Sequence, residues 1–512
     1  MEELQKLINI VRHKGQRSLQ LVNQNFRKKE KSKDNVLFEA LLNDSFKNEN
    51  EIAQKLFRVK PGNRNFRNTK AKLKRKLLNN LYFLDYQKSD YTAYQKAKYE
   101  CLSQIHQIKI LILEEASCIA IKKIPSLVKL ALEFELYEIA LEALLISRNE
   151  YSKQGKCTPL NVSENNIKNI KPINEVINQC EDIYFDTLVL ITKSVSSCER
   201  ILDEIPDRVK KIEQKAKSLK SKRLDILAKK LSIGYYNIIN EYEGNLKICN
   251  YLEKKYFKKN FGNITVDINF REIAFLKLYS LFALNNTEES IEYAEKNSGL
   301  FKAGSIEWFS FKEYHFLSLM KREKYHQATK IFRAVRMHKN FHELPESERD
   351  RWRIYRAYLL FVNDSKLVKW GFDIENFKEK QPEFNKELQG YNIATIIIQI
   401  LFYIREGDIK NIDEKIEQIK KYSSLHLDKR HNYRNSIFIR MLEIIPEREY
   451  MHKPILDKGS NYLKKLVSTP IPPDLHQELE IIPHEILWEY IMNILRTNKN
   501  YLHYRFYHVY EI

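Results

Sequence analysis

Twelve glycines in 512 residues is the feature that most limits how this chain can fold. Ordinary soluble proteins carry about 7% glycine. Tight strand-to-strand turns and phosphate-cradling loops depend on this residue, whereas helix interiors are weakened by it. A chain this poor in glycine, with apolar residues recurring at helical spacing, is expected to be nearly all-α. Its length allows three or four domains or one elongated repeat array.

The formal charge of +20 is concentrated in two places. Residues 1–90 hold 21 Lys/Arg against 10 Asp/Glu, and residues 208–230 hold 10 against Glu213 and Asp225, so the rest of the chain is close to neutral. Between Glu51 and Asp85 there is no acidic residue and there are ten basic ones. Charge this dense repels itself and points to something negative nearby. The residues expected to meet that partner are Arg58, Lys60, Arg64, Arg67, Lys70, Lys72, Lys74, Arg75 and Lys76. A second basic patch comprises Lys210, Lys211, Lys215, Lys217, Lys220, Lys222 and Arg223.

The N-terminal module, residues 1–90, reads as a short amphipathic helix near 2–13, a basic stretch (Arg27, Lys28, Lys29, Lys31, Lys33), and helices near 35–43, 49–57 and 64–84. Asn48 with Glu51 three residues on is a helix-start signature. Pro61-Gly62-Asn63 breaks the chain before the third helix. A helix, a break and a basic helix follow the order of a helix-turn-helix, in which the second helix enters the major groove. Ala53 supplies the small residue that close packing needs. Asn63, Asn65, Arg67 and Asn68 stand where base edges would be reached, with the other basic residues on phosphates. The break, at about six residues, is longer than the usual three or four.

Residues 91–155 read as the first helical hairpins, with a strong helix at 136–148. Residues 155–173, polar and ending at Pro172, read as a linker or long loop. Long helices with the basic patch 208–230 are expected over 174–260, with a stop at Ile205-Pro206, and residues 261–268 as a short loop. Three aligned segments then recur, Glu272–Tyr279, Glu307–Tyr314 and Arg351–Tyr358, at spacings of 35 and 44 residues. Each would open a hairpin whose second helix lies near 287–297 or 324–337. A period in the mid-thirties means stacked hairpins, because one hairpin cannot bury its own apolar face.

Tyr325, Ala328 and Phe332 place a large, a small and an aromatic residue at spacings of three and four, and Tyr137 and Ala140 repeat the first two. Tyr403 and Gly407 fit a first helix and its turn, although Ile412 replaces the small residue. On these residues the chain resembles the tetratricopeptide-repeat (TPR) family over roughly 95–445, without most of the family's glycines and its helix-ending proline. The resemblance implies hairpins forming a concave groove that binds a protein segment and carries out no chemistry. The expected fold is therefore an all-α, irregular TPR-like helical-hairpin solenoid, with hairpins over 270–445 and a basic N-terminal helical module. Residues 446–512 form a C-terminal cap, with a helix around Glu485–Leu495 holding Trp488 and Tyr490. Its aromatic tail (Tyr501, Tyr504, Phe506, Tyr507, Tyr510) either seals the last repeat or anchors a partner.

No Gly-x-Gly-x-x-Gly, P-loop or Gly-x-Ser-x-Gly motif occurs. His338 and His342 are four apart, but Lys339 occupies the position where the zincin motif needs its acid, so no metal, cofactor or catalytic residue is assigned. The six cysteines include no Cys-x-x-Cys pair and suit free thiols in a reducing cytoplasm. Met1–Lys14 has no apolar signal core. The longest apolar run, Ala394–Ile404, has 11 residues interrupted by Gln399, too short to span a membrane. The expectation is a non-enzymatic, cytoplasmic interaction scaffold that binds a protein partner, with a basic module contacting nucleic acid or an acidic partner. Its oligomeric state is unknown. The alternative is a DNA-binding regulator whose solenoid senses or dimerises, and a third is an enzyme with no local motif.

Overall fold

The computed structural model describes residues 33–42, 48–81, 84–87, 91–113, 116–193, 199–256, 265–363, 371–379, 391–426, 432–471, 479–498 and 501. The expected helix near 2–13, the basic residues 27–31 and the aromatic tail beyond Tyr501 lie outside them. Every secondary-structure element among the described residues is helical. The chain divides into two compact units, residues 1–231 with 253–268, and residues 232–252 with 269–512.

The first unit opens with α1 (Lys33–Leu42), α2 (Glu49–Phe57) and α3 (Arg64–Asn80). Leu37, Leu41, Ile52, Ala53, Phe66, Leu73 and Leu77 form their common core. Ala53 is fully buried, as its small size suggested. A second core serves α4 (Ala93–Leu113), α5 (Ser117–Glu133), α6 (Tyr137–Lys153) and α7 (Cys157–Lys193), each packed on the next. It is built from Cys101, Ile105, Ile108, Ala120, Ile124, Leu127, Ala131, Ala140 and Ala143. The alanines let helix axes approach closely, and Ser147 Oγ and Ser163 Oγ meet at 2.7 Å across the α6–α7 contact. The unit continues with α8 (Glu199–Leu219) and the first part of α9 (Lys222–Ile238).

Two expectations fail here. Residues 157–173 are not a linker, because α7 runs through them and through Pro172. Ile167, Ile170, Ile177 and Cys180 are buried on one stripe, and packing along it outweighs the poor propensity of the intervening asparagines. Nor does the chain stop at Ile205-Pro206. Both lie inside α8, with Ile205 fully buried.

The second unit contains part of α10 (Tyr242–Tyr256), then α11 (Phe270–Ala283) with α12 (Thr287–Asn297), and α13 (Ile306–Lys321) with α14 (Tyr325–Arg336). These are the hairpins expected from the 35-residue repeat. The unit goes on with α15 (Glu346–Val362), the short α16 (Ile374–Glu379), α17 (Asn392–Glu406), α18 (Ile409–His426), α19 (Tyr433–Glu447), α20 (His452–Ser468) and α21 (His484–Thr497). One hydrophobic core runs from Ala274 to Tyr501, so within this unit the hairpins form a continuous helical stack. Its polar ties are buried. Glu313 of α13 accepts from Arg351 Nε at 2.8 Å and from Tyr355 Oη at 2.6 Å. Arg434 of α19 donates to Glu480 at 2.7 Å and to Glu485 at 2.5 Å. Tyr501 is buried and donates its hydroxyl to Ile404 O at 2.6 Å, so this first residue of the aromatic tail packs on the stack.

The hairpin turns share one geometry. A residue with left-handed backbone follows the helix, and the next N–H reaches back five residues: Leu136 to Ala131 O, Ser221 to Ala216 O, Glu241 to Tyr236 O, Asn286 to Leu281 O and Lys324 to Leu319 O. The left-handed residues are Glu135, Lys220, Asn240, Asn285 and Glu323, with φ between 53° and 57°. This satisfies the last carbonyls of each helix in the Schellman manner, which usually recruits glycine. Among the described residues, the equivalent turns at Gly155 and Gly407 do use glycine.

Candidate nucleic-acid interface

The basic module owes its shape to two caps. Asn48 Oδ1 accepts from Glu51 N at 2.9 Å and starts α2, and Asn63 Oδ1 accepts from Asn65 N at 2.9 Å and starts α3. Between them Arg58 takes up left-handed backbone and donates its N–H to Gln54 O at 3.1 Å. Phe57 and Phe66 meet edge to face at 5.1 Å, fixing the angle at which α3 leaves the turn.

Helix geometry sorts the basic residues into two groups. Phe66, Leu73 and Leu77 mark the buried stripe of α3. At about 100° per residue, Arg64, Asn68 and Arg75 lie opposite that stripe, and Arg67 lies a quarter turn from it. Arg58, Lys60, Arg64, Arg67 and Arg75 are exposed, together with Asn65 and Asn68. None of these five cations has an ion-pair partner among the described residues. The others are paired or half-buried, although Lys72 and Lys76 are still exposed. Lys70 binds Glu49 at 2.6 Å, and Lys72 and Lys76 bind the buried Asp34 of α1 at 3.4 and 2.5 Å. Lys74 is half-buried. Of the nine cations singled out in the sequence, three are paired within the module, and five are both exposed and without an ion-pair partner among the described residues, on α3 and the turn before it.

The second patch divides in the same way. Lys210, Lys211, Lys215, Lys217, Lys220 and Lys222 are exposed on α8 and the start of α9. Arg223 is half-buried, donating to Glu181 Oε1 from Nε at 2.8 Å and from a terminal nitrogen at 2.6 Å, and pairing with Glu138 at 2.8 Å. Burial alone would favour its neutral form, but the two carboxylates outweigh it and raise its pKa above the usual arginine range. The carboxylate of Glu135 accepts from Ser221 Oγ at 2.6 Å and from the backbone N–H groups of Lys222 and Arg223 at 2.9 and 3.1 Å. It thereby caps the positive end of α9. Arg223 is thus a tie between α6, α7 and α9.

His338 and His342 do not converge on a metal. His338 Nδ1 accepts from Asn340 N at 3.2 Å and starts a short 3-10 turn, and its ring packs on Trp308 and Phe309. No cluster of metal-ligating side chains occurs among the described residues. None of the described helices is long and apolar enough to cross a membrane.

One feature escaped the sequence reading altogether. A cavity of about 450 Å³ in the second unit is lined by Arg336 from the end of α14 and by Arg349, Arg353 and Arg356 from α15. The signal was present in part, since 349, 353 and 356 share one helix face at spacings of four and three. Alternation with acidic residues over 346–350 is equally the pattern of an ordinary solvated face. Comparison with protein-family models, with curated proteins and with solved structures returned no match.

Proposed function

We propose that the chain is a helical-repeat interaction protein whose N-terminal module grips a nucleic-acid backbone. The reading rests on the five exposed cations, Arg58, Lys60, Arg64, Arg67 and Arg75, grouped on α3 and the turn that leads into it. Arg58, Lys60, Arg64 and Arg67 lie at the N-terminal end of α3, where Asn65 and Asn68 are also exposed, and Arg75 lies about three turns further along the face of Arg64. Guanidinium groups suit phosphate oxygens, and asparagine suits the adenine edge, so one helix end would carry both positioning and reading contacts. The paired lysines Lys70, Lys72 and Lys76 would contribute little, since their charge is already answered by Glu49 and Asp34. The hairpins of the second unit resemble tetratricopeptide repeats, with Ala328 and Phe332 buried at the expected positions, and would hold a protein partner. The module and the stack together would then join a nucleic acid to a protein in a non-enzymatic scaffold of the cytoplasm.

The test is a titration of labelled duplex DNA, single-stranded DNA and RNA with the full chain and two triple variants. Arg58→Glu/Arg67→Glu/Arg75→Glu should abolish binding. Lys70→Gln/Lys72→Gln/Lys76→Gln should retain most of it, provided circular dichroism shows the helices intact. Equal loss in both variants, or none in the first, would sink the assignment. Failure of all three nucleic acids to bind would favour an acidic protein on the same surface.

A further inference from the structure

The arginine cavity of the second unit is independent of the N-terminal module. Four guanidinium groups line it, and Asp373 is the one carboxylate in its wall among the described residues. Asp350 offsets Arg353 by an ion pair, and a positive excess remains. Arg349 Nε is buried and makes no hydrogen bond. An unsatisfied buried donor in a concave cationic wall is costly unless an acceptor arrives. Arg336 and Arg356 are close enough to repel. Burial first, then the charge of Arg336, lowers the pKa of Arg356.

The remaining wall is aromatic. Arg356 stacks on Phe372 with 4.8 Å to the ring centroid, and Arg336 on Phe341 with 4.9 Å. Phe372 and Phe377, 5.5 Å apart, are both half-buried at the edge of the cavity. Next to them Asp373 and Asn376 supply a carboxylate and an amide, with Asp373 Oδ1 accepting from Asn376 N at 3.0 Å. The volume lies within the range of small-molecule sites. Guanidinium groups interleaved with ring faces, beside an amide–carboxylate pair, match a ligand that is anionic and also carries a planar, hydrogen-bonding part.

We propose that this cavity binds a nucleotide, its phosphates on Arg336, Arg349 and Arg353 and its base against Phe372 and Phe377 within reach of Asp373 and Asn376. Such a site needs no glycine-rich loop, because side-chain donors replace the backbone N–H groups that a phosphate loop would supply. The absence of P-loop and dinucleotide motifs is therefore consistent with it.

Calorimetric titration of the full chain with adenosine and guanosine triphosphates, inorganic tripolyphosphate and adenosine tests the assignment. At least one triphosphate should bind more tightly than tripolyphosphate, and adenosine should bind far more weakly. Arg349→Gln and Arg336→Gln should each weaken the nucleotide by about tenfold or more, the size expected for a lost charged hydrogen bond. Arg58→Glu/Arg67→Glu/Arg75→Glu should leave nucleotide affinity unchanged, which separates this site from the basic module. The proposal is overturned if neither triphosphate binds, if tripolyphosphate binds as tightly as both, if Arg349→Gln changes nothing while the helices remain intact, or if the N-terminal variant loses the nucleotide.

Discussion

At the scale of single residues, two buried side chains carry a cost that pH should reveal. Lys321 is 8% exposed and lies over the Phe282 ring at 4.2 Å. Burial lowers its pKa to about 8, with partial opposition from Glu480 and a further push from Arg434. In the unfolded chain the same ammonium titrates near 10.4. Between those values the unfolded state binds more protons, so stability rises as pH increases from about 8 to about 10.4 and is lower throughout the range below. Lys321→Met should therefore stabilise the protein at pH 7 by about 1–3 kcal/mol, and the gain should shrink towards pH 10 in urea titrations. His315 is the acid-side counterpart. Both ring nitrogens are buried without a hydrogen-bond partner, and burial, then Lys312, lowers its pKa to about 4. The folded state resists its protonation, so stability should fall as pH drops from about 6.5 to about 4. His315→Phe should flatten that part of the profile. Glu313 is a buried charge of a different kind, because it accepts from Arg351 Nε and Tyr355 Oη. Glu313→Gln would leave Arg351 without its countercharge and should cost about 3 kcal/mol in the same assay.

At the scale of elements, the turns explain how a chain with so little glycine closes so many hairpins. Each left-handed residue that is not glycine carries a steric cost of roughly 1–2 kcal/mol, offset by the carbonyls that the turn satisfies. Glu323 is exposed with φ 57°, so Glu323→Gly should raise the thermal midpoint, by about 0.5–1 kcal/mol in stability after the extra entropy of glycine. A lower midpoint would mean that the Glu323 side chain contributes more than its backbone costs. The hairpins themselves were readable because tyrosine, tryptophan and alanine recur along α11, α13, α14 and α15, and the structure buries Ala274, Trp308, Ala328, Trp352 and Tyr358 while leaving Tyr279, Tyr314 and Tyr325 half-buried. Helix α7 was not readable over 157–173, because Asn165, Asn166, Asn169 and Pro172 carry loop chemistry while only Ile167 and Ile170 report the buried stripe. Propensity is local, and the packing that overrode it comes from α6.

At the scale of the whole molecule, charge is placed rather than merely accumulated. Composition located the basic module, but which cations are available depends on residues far away in sequence. Lys76 is answered by Asp34, 42 positions earlier, and Lys70 by Glu49, 21 positions earlier. Spacing along one helix cannot report such pairings. The arginine cavity was hidden for the same reason, since Arg336 and Arg349 belong to different helices and meet only through the turn between them. The most direct measurement of the central claim is the salt dependence of duplex DNA binding by the unmodified chain. If Arg58, Lys60, Arg64, Arg67 and Arg75 each neutralise a phosphate, the logarithm of the binding constant should fall against the logarithm of salt concentration with a slope of about −4.5. A slope near zero, or no binding at low salt, would contradict a phosphate-gripping surface on α3.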